Sequence, residues 1–306
     1  MNTEQLVQQL ASLSTEARNP ASQQLDRLTT LELVQLINQA DQHIASRLNS
    51  ALPAIAVAVE HIVSAFAAGG RLIYLGAGTS GRLGILDAVE CPPTFSVPSS
   101  QVVGLIAGGN NAMFKAVEGA EDNAALGAAD LQNIQLDHRD LVVGIAASGR
   151  TPYVLGALAY AKTQGVTTVG ISCNADTPVL HHADIAICAD VGPEVLTGST
   201  RMKAGTAQKM ILNMLSTAAM VRSGKVYQNL MVDLHASNEK LVARAVRIVM
   251  QATDCDLATA QVALEQSKMR AKLAILHLLS GQSITDCEQQ LQQQQGFVSR
   301  ALEALR

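Results

Sequence analysis

Two short segments of the sequence combine glycines with side-chain hydroxyls directly after apolar runs. The first, GAGTSGR, covers 76–82, and the second, ASGRT, covers 147–151. Each one follows a run that predicts a buried strand and opens a segment that predicts a helix. Backbone N–H groups at the start of a helix, with Ser and Thr hydroxyls beside them, suit a bound phosphate. The residues of this predicted anion site are Gly78, Thr79, Ser80, Ser148, Gly149, Arg150 and Thr151.

Two other interpretations of these loops stay open from the residues alone. The glycine spacing of 76–81 also matches the G-x-G-x-x-G fingerprint of a dinucleotide site, which lies between a strand and a helix. Hydroxyls such as those of Thr79 and Ser80 are unusual there, and no clear acidic residue ends the next apolar run, 102–109, to bind a ribose. Alternatively, both loops are only N-caps and tight turns. Two hydroxyl-rich loops at matching positions favour a sugar phosphate.

Two glutamates are candidates for general acid–base chemistry. Glu90 precedes CPP at the predicted end of the helix that opens at the first loop, and Glu121 lies in AVEGAEDN. Two carboxylates that enter one pocket can act as base and acid. A helix rises about 1.5 Å per residue, so Glu90 lies about 15 Å along the axis from Ser80. A bend or a neighbouring subunit would have to bring Glu90 to the same pocket. Each glutamate is alternatively a solvated surface charge.

A third polar segment precedes the longest apolar helix. GPEVLTGSTRMKAGTAQK, 192–209, concentrates Glu194, Ser199 and two cations before this helix, which is unusual for a purely structural loop. Ion pairs between the cations and carboxylates are the alternative. A further cation, Lys240, follows in ASNEK, where the alternative is an exposed helix start. We therefore add Glu194, Ser199 and Lys240 to the candidate binding residues.

Short apolar runs alternate with helical segments along the middle of the chain. Continuous apolar strands between helices indicate a parallel sheet that is covered on both faces. We therefore predict an α/β fold with a doubly wound, mainly parallel sheet, N-terminal helices and a small C-terminal helical domain. The glutamine-rich end of the chain is predicted to be a helical surface or a linker. The predicted domains are 1–53, 54–225 and 226–306. The predicted helices of the central domain include 79–90, 111–131 and 198–224.

Composition limits the classes of function. The 306-residue chain has a formal net charge of −4 and no long Lys/Arg block, which argues against a nucleic-acid surface. The polar N-terminus is not typical of a signal peptide. No uninterrupted apolar stretch is long enough to predict a membrane span. Five scattered cysteines without a C-x-x-C pair indicate a reduced, cytoplasmic protein. His181 and His182 have no second ligand pair at a typical spacing, so we expect no metal.

Several blocks of the sequence resemble the N-acetylmuramic acid 6-phosphate etherases, and the resemblance covers nearly the whole chain. The block GPE…GSTRMKAGT is shared with the glucokinase regulatory proteins, which use the same sugar-isomerase (SIS) domain and bind sugar phosphates. Those proteins carry two such domains, so the shorter length here fits the etherases. The matching blocks are LIYLGAGTSGRLGILDAVECPPTF, AVEGAEDN, GIAASGRTPYV, GPEVLTGSTRMKAGTAQKMILNMLST and NLMVDLHASNEKL.

The resemblance implies a carbon–oxygen lyase of peptidoglycan recycling. Such an enzyme cleaves the lactyl ether of N-acetylmuramic acid 6-phosphate to N-acetylglucosamine 6-phosphate and D-lactate, without a metal or cofactor. It is a homodimer with sites near the subunit interface. The two glutamates that act in the family match Glu90, which corresponds to the proton donor, and Glu121. Lys240 would help with the phosphate or the sugar. The residues expected to hold the 6-phosphate are Thr79, Ser80, Ser148 and Thr151.

The residue types suit an elimination. In the open-chain sugar a carboxylate removes the acidified C2 proton, an acid protonates the poor leaving oxygen on C3, and water then adds back at C3. We assign Glu90 as the acid and Glu121 as the C2 base or water activator. An aldose–ketose isomerase would use the same proton abstraction without a leaving-group acid. A non-enzymatic sugar-phosphate sensor would keep the loops but would not need both glutamates.

Overall fold

A five-stranded parallel sheet lies at the centre of the fold in the computed structural model, which describes residues 3–234 and 239–306. Its strands are β1 (Leu72–Gly76), β2 (Val102–Ile106), β3 (Leu141–Ala146), β4 (Thr167–Ser172) and β5 (Ile185–Cys188). Their order across the sheet is β2-β1-β3-β4-β5. Strands β1 and β3 are buried along their whole length, as expected where helices cover both faces.

Helices make up most of the remaining described chain, which divides into two compact units. The first unit is Met1–Val89 with Ser100–Ser216, and the second is Glu90–Ser99 with Thr217–Arg306. The three domain boundaries expected from the sequence stay a prediction. The helices up to the end of the sheet are α1 (Thr3–Ala11), α2 (Thr30–Gln42), α3 (Ile44–Arg47), α4 (Leu52–Ala67), α5 (Gly78–Phe95), α6 (Ala124–Asn133), α7 (Pro152–Thr163) and α8 (Pro178–His182). Those that follow are α9 (Lys203–Arg222), α10 (Glu239–Thr253), α11 (Leu257–Gln266), α12 (Ala271–Ser280), α13 (Ile284–Gln293) and α14 (Val298–Ala304).

Helices α5 and α7 cover opposite faces of the sheet. A Cβ atom on Gly144 of β3 would lie 2.7 Å from Val154 of α7. A Cβ atom on Gly84 of α5 would instead lie 3.4 Å from Ile145, which follows Gly144 in β3. Successive residues of a strand point to opposite faces, so the two helices lie on different sides. The doubly wound α/β fold predicted from the sequence is confirmed.

Helices α6 and α7 approach each other at two glycines. A Cβ atom on Gly127 would lie 2.0 Å from the carbonyl oxygen of Tyr153, and one on Gly156 would lie 2.0 Å from the carbonyl oxygen of Ala124. Neither position has room for a methyl group. The two glycines therefore set how closely these helices pack.

Gly156→Ala is expected to lower the free energy of unfolding by about 1–3 kcal/mol, because the added methyl group must push α6 and α7 apart. Thermal denaturation followed by circular dichroism measures this loss. Gly205→Ala in α9 is the matched control, since its Cβ atom would make only an ordinary contact, 3.4 Å from Thr79. An equal loss of stability in both variants would contradict the steric argument.

The helix that contains Glu90 is longer than predicted. The sequence predicts that this helix ends at Glu90, before two prolines, but α5 continues through both prolines to Phe95. Proline removes a backbone donor and strains a helix interior. Cys91 and Phe95, one turn apart, are both buried, and their packing offsets that cost. The chain leaves the helix at Ser96, which has a φ of 47°.

The helix predicted over 111–131 is wrong for its first half. A short 3-10 helix, Asn110–Met113, is followed by irregular chain up to the start of α6. Within that chain Gly119 has a φ of 73°, which interrupts helical geometry. The side chain of Asn123 then accepts a hydrogen bond from the backbone N–H of Leu126 and caps α6. This N-cap is a start signal that the apolar periodicity alone did not reveal.

The second unit has its own apolar core, built from α10 to α14. The glutamine-rich end of the chain is helical with an exposed face, as one of the two interpretations expected, but its other face belongs to this core, so it is not a linker. Cys287 and Leu291 of α13 are buried, as are Val298 and Ala301 of α14. The exposed glutamines occupy the other faces of α13. The segment is therefore an amphipathic helix, which its glutamine-rich composition alone did not indicate.

One stretch, 30–67, has the length and apolar composition of a membrane-spanning helix. In the structure it consists of α2, α3, a 3-10 turn over Leu48–Ala51, and α4. Helix α4 contacts β1, β3 and β5, and it buries Ile55, Ala58 and Ile62. Core helices of this kind pass the same test of length and composition, so the finding is weak support for a membrane span.

Candidate active site

The two hydroxyl-rich loops are neighbours at the carboxyl edge of the sheet. Strands β1 and β3 pair directly, with Gly76 opposite Ile145, and the loops leave from these ends. Strand β2 lies on the other side of β1, so the order of the chain reverses between β1 and β3. Ligands of open α/β sheets bind at such a switch point. The structure thus brings 78–80 and 148–151 to the expected position.

The first loop turns directly into α5. Gly78 has a φ of 54°, and a Cβ atom there would meet nothing within 4 Å. Ser80 is buried, and its hydroxyl donates a hydrogen bond to Oε1 of Gln208 in α9 at 2.9 Å. Thr79 is half-buried beside it. Sequence reasoning missed Gln208, a buried amide that fixes the first loop to a distant helix.

The second loop is fixed by the chain that follows β4. Gly149 has a φ of 69°, and its carbonyl oxygen accepts a hydrogen bond from the backbone N–H of Val179 at 2.9 Å. The hydroxyl of Ser148 accepts from the backbone N–H of Arg150 at 3.3 Å. Thr151 precedes α7, and its side chain makes no capping hydrogen bond. These contacts hold the backbone of the loop in one conformation.

A cavity of about 220 Å³ opens beside the first loop in the first unit. Its charged lining consists of Arg82 and two carboxylates, Glu118 and Glu121. The structure therefore brings Glu121 to the same cavity as Gly78. The remaining wall is built almost wholly from small side chains: Ala77, Ala107, Ala112, Ala116, Val117 and Gly119.

The backbone of Glu121 is tied to the start of α7. Its carbonyl oxygen accepts a hydrogen bond from the backbone N–H of Tyr153 at 3.0 Å. Tyr153 is fully buried, and its hydroxyl donates to Asp130 at 2.8 Å. Burial, with the hydrogen bond to Asp130, raises the pKa of Tyr153, so its hydroxyl stays protonated. Tyr153 thus links the segment of Glu121 to the second loop, which ends at Thr151, a link that no sequence motif indicates.

Glu90 and Lys240 belong to the second unit, whereas the two loops and Glu121 belong to the first. Glu90 is exposed on α5, and its backbone carbonyl accepts a hydrogen bond from the Thr94 hydroxyl at 2.7 Å. Lys240 is exposed in the first turn of α10. The preceding part of ASNEK, 236–238, lies outside the described residues. In the described part of the chain, no group of three or more His, Cys, Asp or Glu side chains is arranged to hold a metal ion.

Glu194 caps the start of α9. It is fully buried, and its two carboxylate oxygens accept hydrogen bonds from the backbone N–H groups of Lys203 and Ala204, both at 2.9 Å. The Nζ atom of Lys203 donates to the carbonyl oxygen of Val191 at 2.9 Å. Burial lowers the pKa of Lys203, and the nearby Glu194 charge opposes this shift. Ser199 lies half-buried in the turn before the helix. Glu194 thus positions α9, and substrate binding by Glu194 or Ser199 stays a prediction.

Glu194→Ala is expected to lower the free energy of unfolding by about 1–3 kcal/mol, because two buried N–H groups lose their acceptors. Urea denaturation measures the difference. Glu194→Gln keeps one acceptor oxygen and should lose less. Glu303→Ala, an exposed position on α14, is the control and should stay within about 0.5 kcal/mol of the unmodified protein. A Glu194→Ala protein as stable as this control would contradict the capping role.

Comparison with family models finds SIS-type domains in the chain. The N-terminal SIS domain of glucokinase regulatory protein matches residues 54–162, and the SIS domain matches 121–218. The C-terminal lid domain of glucokinase regulatory protein matches 228–273. A solved structure from Bacteroides fragilis, described as a phosphosugar isomerase involved in capsule formation, superposes with a TM-score of 0.51 at 20% identity. It covers 68% of this chain and 98% of that chain, which supports the fold.

Full-length relatives identify the family. An N-acetylmuramic acid 6-phosphate etherase of Colwellia psychrerythraea is 58% identical over 304 residues, which cover 99% of each chain. N-acetylmuramic acid 6-phosphate etherase 2 of Vibrio cholerae is 57% identical over 303 residues, again 99% of each. The etherase of Edwardsiella ictaluri is 59% identical over 294 residues, covering 96% of this chain and 98% of its own. The family expected from the sequence is confirmed: the chain belongs to the N-acetylmuramic acid 6-phosphate etherases.

Proposed function

We propose that the protein cleaves the D-lactyl ether of N-acetylmuramic acid 6-phosphate and releases N-acetylglucosamine 6-phosphate and D-lactate. The observation that carries this proposal is the end-to-end match to etherases at 55–59% identity. The protein is accordingly a carbon–oxygen lyase, and its substrate is a small amino sugar phosphate. The protein acts in the recycling of peptidoglycan.

The 6-phosphate is held by the two loops at the switch point of the sheet. Backbone N–H groups at the start of α5 point toward this edge and favour an anion. At the start of α7, Pro152 has no N–H group and that of Tyr153 donates to Glu121, so the second loop contributes mainly its hydroxyls. The left-handed backbone at Gly78 and Gly149, with φ values of 54° and 69°, supports this assignment, because turns of this conformation can form a concave site for an anion. Thr79, Ser148 and Thr151 supply hydroxyls. The hydroxyl proton of Ser80 is already donated to Gln208, so Ser80 contributes its backbone N–H.

Glu121 removes the C2 proton or activates the water, and Glu90 protonates the leaving oxygen. The cavity supports the role of Glu121, which lines it beside the first loop. A sugar whose phosphate lies on that loop can place its ring in this space. Glu90 is assigned through its match to the family's proton donor, and Lys240 assists with the phosphate or the sugar. General acids and bases of this kind contribute about 100- to 10,000-fold each.

The active form is a homodimer in the cytoplasm, with sites near the subunit interface. Helix α2 supports an interface, because none of its residues is buried within the chain. Its apolar side chains Leu31 and Val34 are 64% and 52% exposed, and a partner subunit would cover them. The cysteines support the compartment, since Cys91, Cys173, Cys188, Cys255 and Cys287 are all free. Burial raises the pKa of Cys173 to about 12, so this thiol stays protonated and unreactive.

Incubation with N-acetylmuramic acid 6-phosphate in ¹⁸O-labelled water tests the activity. Elimination followed by addition of water should release D-lactate and leave the label at C3 of the product sugar. Label in the lactate would instead indicate cleavage of the other carbon–oxygen bond. A folded protein that binds the sugar phosphate but releases no lactate would contradict the proposal and favour a sensor, and an aldose–ketose conversion would favour an isomerase.

A further inference from the structure

Arg82 is the only cationic side chain among the described residues that line the cavity of the first unit, which Glu118 and Glu121 also line. It lies in the first turn of α5, at the end of the GAGTSGR segment. The proposed mechanism gives Arg82 no role. It lines the same cavity as Glu121, the proposed C2 base.

The guanidinium group of Arg82 is held in a fixed orientation. Its Nε atom donates to the carbonyl oxygen of Met113 at 3.0 Å, and its Nη2 atom donates to the carbonyl oxygen of Ala112 at 2.7 Å. Neither acceptor carries a charge. Within 3–234 and 239–306, Arg82 forms no salt bridge, and its Nη1 atom donates to no residue. A positive charge with spare donors is therefore fixed beside two carboxylates.

The cavity lies on the β2 side of the first loop. Ala77 follows β1 and Ala107 follows β2, and both line the cavity. The second hydroxyl-rich loop, 147–151, follows β3 on the other side of β1 and contributes no residue to the lining. The cavity thus shares the first loop with the β1–β3 edge that is proposed to hold the phosphate, but it extends away from the second loop. It would receive another part of the substrate.

We propose that Arg82 binds the carboxylate of the substrate's lactyl group, an inference that rests on the proposed etherase function. The substrate carries two anionic groups, the phosphate on C6 and the carboxylate on the C3 ether. A carboxylate that enters a cavity with Glu118 and Glu121 is repelled unless a cation compensates. Arginine is suited to this contact, because its planar donors match a carboxylate and its charge is permanent. Arg82 then distinguishes muramic acid phosphates from glucosamine phosphates and orients the leaving lactate.

The test compares Arg82→Met with the unmodified protein on three ligands. These are N-acetylmuramic acid 6-phosphate, its lactyl carboxamide analogue, and the product N-acetylglucosamine 6-phosphate as an inhibitor. We expect kcat/KM for the acid to fall about 10- to 100-fold, the size typical of a lost charged hydrogen bond. The kcat/KM for the carboxamide and the inhibition constant of the product should change less than about threefold. Arg82→Lys keeps the charge without the planar donors and should recover part of the loss.

The carboxamide and the product separate recognition from a structural role. If Arg82 only positions the 112–113 segment, and with it the loop of Glu121, turnover of the acid and the carboxamide will fall together. If Arg82 holds the phosphate, the product will bind more weakly in the variant. Either result would overturn the inference. Arg139→Met removes an exposed arginine paired with Asp137 and should leave all three values unchanged.

Binding affinities measured by calorimetry test the inference about Arg82 independently of catalysis. If the unmodified protein binds the acid but releases no lactate, the proposed function fails, while the preference for acid over product can still be measured. Arg82→Met should lower that preference about 10- to 100-fold. An unchanged preference would reject carboxylate recognition by Arg82 whether or not the protein is an etherase.

Discussion

Replacement of Glu90 by glutamine is expected to lower kcat for D-lactate release about 100- to 10,000-fold, because glutamine fills the same space but cannot protonate the leaving oxygen. Glu90 is exposed, so the free energy of unfolding should change by less than about 0.5 kcal/mol. A D-lactate assay measures the rate, and a thermal melt shows that the fold is intact. Near-normal turnover in a folded Glu90→Gln protein would remove Glu90 from the mechanism.

Exchange of the C2 proton with deuterated water separates the roles of the two glutamates. Glu90→Gln should still exchange this proton while releasing little lactate, because the base remains. Glu121→Gln should lose both exchange and lactate release. Glu118→Gln, which changes a carboxylate in the same cavity, is the matched control and should retain turnover within about tenfold of the unmodified protein. Exchange that is lost in Glu90→Gln and kept in Glu121→Gln would reverse the assignment.

Replacement of Gly149 by alanine is expected to lower kcat/KM by about 100-fold or more, since small displacements of a positioning loop have effects of that size. The new Cβ atom would lie 2.2 Å from the Thr177 hydroxyl oxygen and 2.5 Å from the Ser172 hydroxyl oxygen. The backbone would also be held at a φ of 69°, which costs about 1–2 kcal/mol for a residue with a side chain. Steady-state kinetics and thermal denaturation measure the two effects.

Gly165 provides a matched control for Gly149. Its φ is also 69°, but a Cβ atom there would meet nothing within 4 Å. Gly165→Ala should therefore lose about 1–2 kcal/mol of stability through backbone strain while keeping its activity. Equal losses of kcat/KM in the two variants would show that overlap with Thr177 and Ser172 does not disturb the second hydroxyl-rich loop.

The strands and the position of the two hydroxyl-rich loops could be predicted because their signals are local. Each buried strand is a short apolar run, and Gly78 and Gly149 each follow such a run. Parallel strands place their carboxyl ends at one edge, so the two loops had to share that edge. The order β2-β1-β3, which makes the loops direct neighbours, could be determined only from the structure.

The contacts that hold the site could not be predicted, because they join residues far apart in sequence. The hydrogen bond from Ser80 to Gln208 spans 128 residues, and nothing in either local segment indicates the other as its partner. The bond from Tyr153 to Glu121 uses only backbone atoms, which every sequence provides. The extension of α5 to Phe95 was missed for a similar reason, since burial of a terminal turn overrides the local effect of proline.

The wall of the cavity has a consequence for how the substrate range can change. Alanines and glycines, among them Ala107 and Ala112, form most of that wall. A single substitution by valine at such a position adds bulk and narrows the cavity. No substitution at these small residues enlarges the space appreciably, because there is almost no side chain left to remove. Selection, or an engineer, can therefore tighten this part of the wall in one step, whereas widening it requires the backbone itself to move.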